Sequence, residues 1–197
     1  MRDQNHLLLQ KNIINNSVCS VIYWKKIFLY FWVFSIVGHL IEIVWSQINH
    51  IITGNELWRP IILTFTPAAA PYGLGVVGII LFVWPFMKRH KFNIFVVFLL
   101  SVLVTTIIEY LCAVVIVSFV GSNDFWNYND QFMNLNGFVC LESSILFGIN
   151  SVIFLYLIYP FCEKILNRFT KKQISTVFWF LFISYSVDLI YVFIRYK

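Results

Sequence analysis

Five long apolar stretches set the pattern of the chain, at residues 27–49, 61–86, 92–120, 138–160 and 174–194, with more polar connections between them. A helix needs about 20 residues to cross a bilayer core, and each stretch is long enough. Lipid cannot satisfy open backbone groups, so the pattern predicts an all-α polytopic membrane bundle of about five transmembrane helices. The second stretch contains Pro67, Pro71, Gly73, Gly75 and Gly78. Proline removes a helix donor, so two readings stand for residues 61–72. One is a broken or re-entrant start, which lowers the count to four spans if the segment does not fully enter the membrane. The other is a plain kinked helix whose Ala69 and Gly73 allow close packing.

Residues 1–26 are polar and asparagine-rich. Leu7-Leu8-Leu9 is too short for a signal-peptide core, and no small-x-small cleavage site follows it. The expected division is a polar cytoplasmic N-terminal segment, 1–26, and a transmembrane helical domain, 27–197.

Composition supports this reading. Sixty per cent of residues are hydrophobic and only 12% are charged, against about 25% charged in a soluble domain. So little charge cannot coat a water-facing surface. That excludes an ordinary soluble enzyme, a disordered chain and a free nucleic-acid-binding domain, and no nucleic-acid partner is expected.

The net charge of +5 reports topology instead. The head carries Arg2, Lys11, Lys25 and Lys26. The 86–92 turn carries Lys88, Arg89 and Lys91, and the 161–173 loop carries Lys164, Arg168, Lys171 and Lys172. The alternate connections hold only Arg59, Arg195 and Lys197. Cytoplasmic loops are enriched in Lys and Arg, which puts the N-terminus in the cytoplasm and the C-terminus and the 121–137 loop outside. The expected location is a cell membrane, crossed several times, of bacterial cytoplasmic type. Cys19, Cys112, Cys140 and Cys162 lack C-x-x-C spacing and read as buried thiols.

Four carboxylates fall inside the apolar stretches: Glu42, Glu109, Glu142 and Asp188. Each costs about 2.5–3.5 kcal/mol at the bilayer centre on insertion scales. The predicted topology puts all four toward the outer half of the membrane. Gly38 and His39 precede Glu42 by four and three residues, Thr105 and Thr106 precede Glu109 likewise, and Ser184 and Tyr191 flank Asp188. Those offsets share a helix face, where hydroxyls and imidazole reduce the burial cost. The expectation is an outward-facing polar cavity around Glu42, Glu109 and Glu142, able to hold a cation, protons or an amine-bearing ligand. The competing expectation is structural: Arg59, His39 and backbone donors pair the acids and hold helices together.

The 121–137 loop reads GSNDFWNYNDQFMNLNG, long for a plain connection. Phe125, Trp126, Tyr128 and Phe132 suit the membrane–water interface. Asn134 and Asn136 suit a cap for the next helix or a ligand contact. Residues 36–42, IVGHLIE, are similar to 103–109, LVTTIIE. Parallel repeats occur in transporters, with sites at the repeat interface. No G-x-x-x-x-G-K-[ST] loop is present, nor H-E-x-x-H, G-x-S-x-G or C-x-x-C-H. ATP is therefore not bound by that motif in this chain, and no cofactor is expected.

A wider set of motifs carries a resemblance. The order is Gly38-His39-Leu40-Ile41-Glu42, Arg59, Pro71-Tyr72-Gly73, Ile108-Glu109-Tyr110, Trp126-Asn127-Tyr128-Asn129-Asp130, Asn134-Leu135-Asn136-Gly137 and Cys140-Leu141. It resembles the bacterial family labelled Putative ABC-transporter type IV, a group of small polytopic permease-like proteins. The resemblance covers about residues 28–160, leaving out the head and the final span. Its most specific part is W-x-Y-x-D followed by N-L-N-G. His39 stands where tryptophan is usual, and Phe138 where an arginine commonly follows N-L-N-G. If that arginine pairs with a membrane carboxylate, its partner here is left unpaired or protonated.

The resemblance implies a permease-like protein, with a separate ATPase subunit docked on the cytoplasmic basic turns if ATP energises it. The expected binding residues are Glu42, Glu109, Glu142, Arg59, His39, Trp126, Tyr128, Asn134 and Asn136, and a homo-oligomer is a further expectation. Two alternatives remain open from sequence. One is a membrane enzyme using clustered carboxylates on a lipid-linked or envelope substrate. The other is a non-catalytic membrane partner whose acids matter only for stability or association.

Overall fold

The computed structural model describes residues 2–54, 64–90, 92–121 and 127–196. It contains five helices long and apolar enough to cross a membrane. These are α1 (Arg2–Thr53), α2 (Ala70–His90), α3 (Ile94–Val120), α4 (Leu141–Leu166) and α5 (Lys171–Tyr196). The four-span count is thereby set aside. Helix α1 has 52 residues, about 78 Å at 1.5 Å per residue. That exceeds a bilayer core of about 30 Å, so the polar head and the first span form one continuous helix.

The start of α2 differs from the kinked-helix expectation. Residues 64–69 are not helical, and Pro71 sits in the first turn of α2. A proline there removes a donor that has no intrahelical partner anyway. The open backbone before it is satisfied by neighbours. The Thr66 N–H donates to Asp188 Oδ2 on α5 (3.3 Å), and the Ala69 N–H donates to the Ser35 carbonyl on α1 (3.1 Å). Phe65 stacks on Tyr191, with ring centroids 4.0 Å apart. Non-helical backbone is tolerated in a membrane protein where protein covers it in this way.

Prolines inside α2 and α4 leave a different mark. Each helix widens into a π turn, at Ile79–Val83 and Phe154–Ile158. Each π turn is followed at once by an aromatic–proline pair, Trp84-Pro85 or Tyr159-Pro160. A proline ring collides with the carbonyl four residues back and offers it no donor. A turn opened to i→i+5 relieves both problems. Accordingly the Trp84 N–H donates to the Ile79 carbonyl and the Tyr159 N–H to that of Phe154.

Helix α1 packs on α2, α2 on α3, and α3 on α4, while α5 lies against α1 outside this four-helix unit. The buried core includes Tyr30, Ile79, Ile80, Val83, Val97, Phe154, Leu155 and Tyr159. Two glycines permit close approaches within the helix pairs α1–α2 and α3–α4. A Cβ on Gly73 would overlap the Phe31 carbonyl and Ser35 Oγ, and one on Gly148 would overlap Val102 and Phe98. Small residues of this kind let membrane helices approach backbone to backbone.

One end of the bundle gathers the cations. Lys26 Nζ meets Glu163 Oε2 at 3.3 Å and Asn167 Oδ1 at 2.8 Å, and the Tyr30 hydroxyl donates to Glu163 Oε1 at 3.0 Å. Lys25 Nζ donates to Ser175 Oγ at 2.6 Å. Lys88 lies over the Trp84 ring, which in turn packs on Tyr159. The head, the 86–90 turn and the 161–173 loop therefore meet at this end.

Helix α4 is capped by Cys140, not by Asn134 or Asn136. Cys140 Sγ accepts from the Ser143 N–H, and Ser143 Oγ accepts from the Cys140 N–H. Cys140→Ala is expected to cost about 1 kcal/mol, the usual loss for a cap, and Cys140→Ser to cost little. Thermal unfolding of the two variants in detergent compares them. Cys140 is buried, whereas Cys112 and Cys162 are only half-buried.

Candidate functional site

The site lies where α1, α2, α3 and the 127–140 loop converge, away from the basic end. It begins with the register of α1. His39 and Glu42 fall one turn apart, and Nδ1 of His39 is 3.9 Å from Oε2 of Glu42. The imidazole is buried, at 2% exposure, and its Nδ1 has no hydrogen-bond partner among the described residues. The Glu42 carboxylate, half-buried, accepts a hydrogen bond from the Tyr72 hydroxyl. Tyr72 stands in the first turn of α2, beside Gly38 of α1, where any Cβ would collide with its ring. That glycine is what lets the tyrosine reach Glu42.

From α3, Glu109 enters the same region at 4% exposure. It accepts from the Tyr128 hydroxyl at 3.4 Å and from Ser143 Oγ at 3.3 Å. Tyr72 and Tyr128 each lie within electrostatic reach of both Glu42 and Glu109. Each carboxylate thus has its own phenol donor, Tyr72 on Glu42 and Tyr128 on Glu109, with the second acid near each phenol. Burial first, then the Glu109 charge, pushes the Tyr128 phenol well above its usual range. It stays protonated and acts as a donor at all ordinary pH values.

The loop that delivers Tyr128 is folded on itself. The Tyr128 N–H donates to the Gly137 carbonyl (2.9 Å). The Asn134 amide donates to the carbonyls of Asn129 (2.9 Å) and Gln131 (3.0 Å) and accepts from the Gly137 N–H (3.1 Å). Asn136 and Gly137 both take left-handed backbone, with φ of 55° and 69°, a region open to asparagine and glycine at least cost. Asn136 Nδ2 donates to the Tyr110 hydroxyl at 2.8 Å. The N-L-N-G motif is therefore the clasp that holds Tyr128 over Glu109.

The other expected site residues fall elsewhere. Glu142 is exposed in the first turn of α4, beside a surface groove of about 310 Å³ lined also by Gln131, Phe132, Leu141, Ile145 and Leu146. A carboxylate at that position complements the helix N-terminus. Asp188 is buried at 5% exposure on α5, where it anchors Thr66. The hydroxyl of Thr106 donates to Ser144 Oγ, and that of Thr105 to its own helix backbone. Arg59 and Trp126 lie outside the described residues. Tyr72 and Ser143 were not among the expected site residues. The P-Y-G motif was the available signal for Tyr72; for Ser143 there was only its place in the first turn of α4. No group of three or more His, Cys, Asp or Glu suited to a metal occurs among the described residues.

Fold and site together define a multi-pass helical membrane protein in which a half-buried acid, Glu42, and a buried one, Glu109, lie beneath the 127–140 loop. The chain belongs to the family described as Putative ABC-transporter type IV, whose model matches residues 29–193. The match takes in the final span, which the motif resemblance had left out. No curated protein and no solved structure matches the chain. Family and fold together indicate a transport-related membrane protein.

Proposed function

We propose that the chain is a permease-like membrane subunit whose ligand site is the Glu42–Tyr72–Tyr128–Glu109 cluster. One observation carries this reading: acids from two different helices, Glu42 bonded to Tyr72 and Glu109 to Tyr128, converge at one end of the bundle. A buried ionisable group in a membrane span is costly and is retained most often where it handles ions, protons or charged substrates. The acids select a cation: a proton, an alkali ion or a primary amine. His39, buried with its Nδ1 facing Glu42 at 3.9 Å, sets how protons divide between them. Glu142 and the groove beside it serve as an outer vestibule.

Sidedness follows the cations. With the basic end cytoplasmic, the acid cluster and the 127–140 loop face outward, and the N-terminus is inside. A separate ATPase, if one energises transport, docks on the basic end around Lys88, Arg89, Lys164 and Arg168. Arg59, Trp126, Asn134 and Asn136 complete the outer side, the asparagines through the loop they hold.

The test uses purified protein in detergent, titrated separately with sodium, potassium and methylammonium chloride at constant ionic strength. Binding to the folded state alone stabilises it by about 2.7 kcal/mol at a hundredfold excess over Kd. At least one cation is expected to raise the unfolding temperature of the native protein and to lose that effect in Glu109→Gln. If no cation separates native protein from Glu42→Gln and Glu109→Gln, the reading is wrong.

A further inference from the structure

The similarity between the stretches ending at Glu42 and Glu109 extends much further than seven residues. At an offset of 67, Ile27, Phe28, Phe31, Val37, Ile41 and Glu42 match Ile94, Phe95, Phe98, Val104, Ile108 and Glu109. At an offset of 75, Gly73 matches Gly148, Val77 matches Val152, and Pro85-Phe86 matches Pro160-Phe161. The structure repeats along with the sequence. Gly73 rests on Phe31 and Ser35 of α1, and Gly148 rests on Phe98 and Val102 of α3, the positions equivalent to them. The two π turns, Ile79–Val83 and Phe154–Ile158, also coincide at the offset of 75.

Equivalent residues meet one another. Tyr72 packs on its equivalent Phe147, with centroids 5.8 Å apart, and Trp84 on its equivalent Tyr159, at 4.9 Å. Contact between a residue and its own mate is the mark of a two-fold axis. The axis here runs between α2 and α4 and relates hairpin α1–α2 to hairpin α3–α4. The mates lie on matching stripes, Tyr72–Val76–Ile80–Trp84 and Phe147–Ser151–Leu155–Tyr159, each stepping by four residues. The two aromatic pairs are 12 residues apart, about 18 Å along a helix, so they close opposite ends of one seam. The acid cluster sits at the Tyr72 end, with Glu42 from one hairpin and Glu109 from the other.

We propose that the two hairpins are the moving parts of the protein, and that the α2–α4 seam is its route. The Tyr72–Phe147 and Trp84–Tyr159 pairs are its alternate gates, and the paired π turns are its hinges. Parallel repeats about an axis along the membrane normal carry their sites at the repeat interface and work by rocking one half against the other. A π turn ahead of a proline suits a hinge, because its hydrogen bonds already depart from the α register. The proposal rests on the permease reading but is tested separately.

In full-length protein with Cys19, Cys112, Cys140 and Cys162 replaced by serine, Ser151→Cys puts one thiol midway along the seam. Ser151 is buried and donates to the Phe147 carbonyl of its own helix, so the change is mild. A membrane-impermeant maleimide is applied to either face of sealed vesicles. The thiol is expected to label from both faces. Pro85→Ala with Pro160→Ala is expected to slow labelling from the basic end at least tenfold and leave the loop end unchanged. A purely structural role for the prolines would alter unfolding temperature without altering sidedness. Labelling from only one face, or from neither face while SDS-unfolded protein labels fully, overturns the proposal. So does equal labelling of the proline variants from the basic end. If the seam thiol is silent while the cation effect still depends on Glu109, the gates fail and the acid site stands.

Discussion

Gly73→Ala is expected to destabilise the bundle by about 3 kcal/mol, while Gly75→Ala, two residues away, is expected to stabilise it by up to about 1 kcal/mol. The first methyl would occupy the place of the Phe31 carbonyl and Ser35 Oγ. A backbone atom cannot swing aside, so α1 and α2 must separate, and overpacking of this kind costs about 1–3 kcal/mol. Separation would also draw Tyr72 away from Glu42, coupling the packing defect to the site. At Gly75 a Cβ meets nothing within 4 Å, and alanine is the better helix former by about 0.8–1 kcal/mol. Equilibrium unfolding in mixed detergent measures both. Equal effects at the two positions would mean that α1 and α2 do not meet at Gly73.

Glu109→Gln is expected to raise the stability of the unliganded protein by about 1 kcal/mol while abolishing its response to cations. The carboxylate is nearly sealed from solvent and is held by donors from Tyr128 and Ser143. An amide keeps the shape and one good acceptor but removes the cost of burying a charge. Functional groups are often retained at the expense of stability, and a variant both firmer and silent is the signature of such a group. A variant that is weaker and equally responsive would make Glu109 a structural tie between α3, α4 and the loop. That outcome would favour the non-catalytic partner reading over a permease.

Much of this architecture was legible in the chain. Spans of apolar residues are a strong signal because lipid permits few alternatives, and each of the five helices covers one of them, though α1 begins far ahead of its stretch, at Arg2, and α2 starts late, at Ala70. There, Pro67 and Pro71 marked a disturbance, but its form depended on Asp188 and Ser35, which are distant in sequence. The π turns at Pro85 and Pro160 could have been anticipated from prolines late in long apolar runs. Their pairing across the seam required the register of two hairpins. Glu42 and Glu109 announced themselves by the cost of burying an acid. Tyr72 did not, because its contact depends on how closely α2 approaches Gly38. Glu142 shows the reverse case. Its rotation is set by where α4 starts, and the Cys140 cap leaves it exposed in the first turn. Asn134 and Asn136 were marked by their motif, yet their amides hold the loop instead of capping α4.

The central claim is that one acid from each hairpin contributes to a single shared site. A double-mutant cycle of Glu42→Gln and Glu109→Gln, read as unfolding free energy in detergent, measures this most directly. Groups in one network couple by about 0.5–3 kcal/mol, whereas independent sites add within about 0.3–0.5 kcal/mol. A coupling of 1 kcal/mol or more is predicted; strict additivity, with each amide acting as though the other acid were absent, would contradict the account.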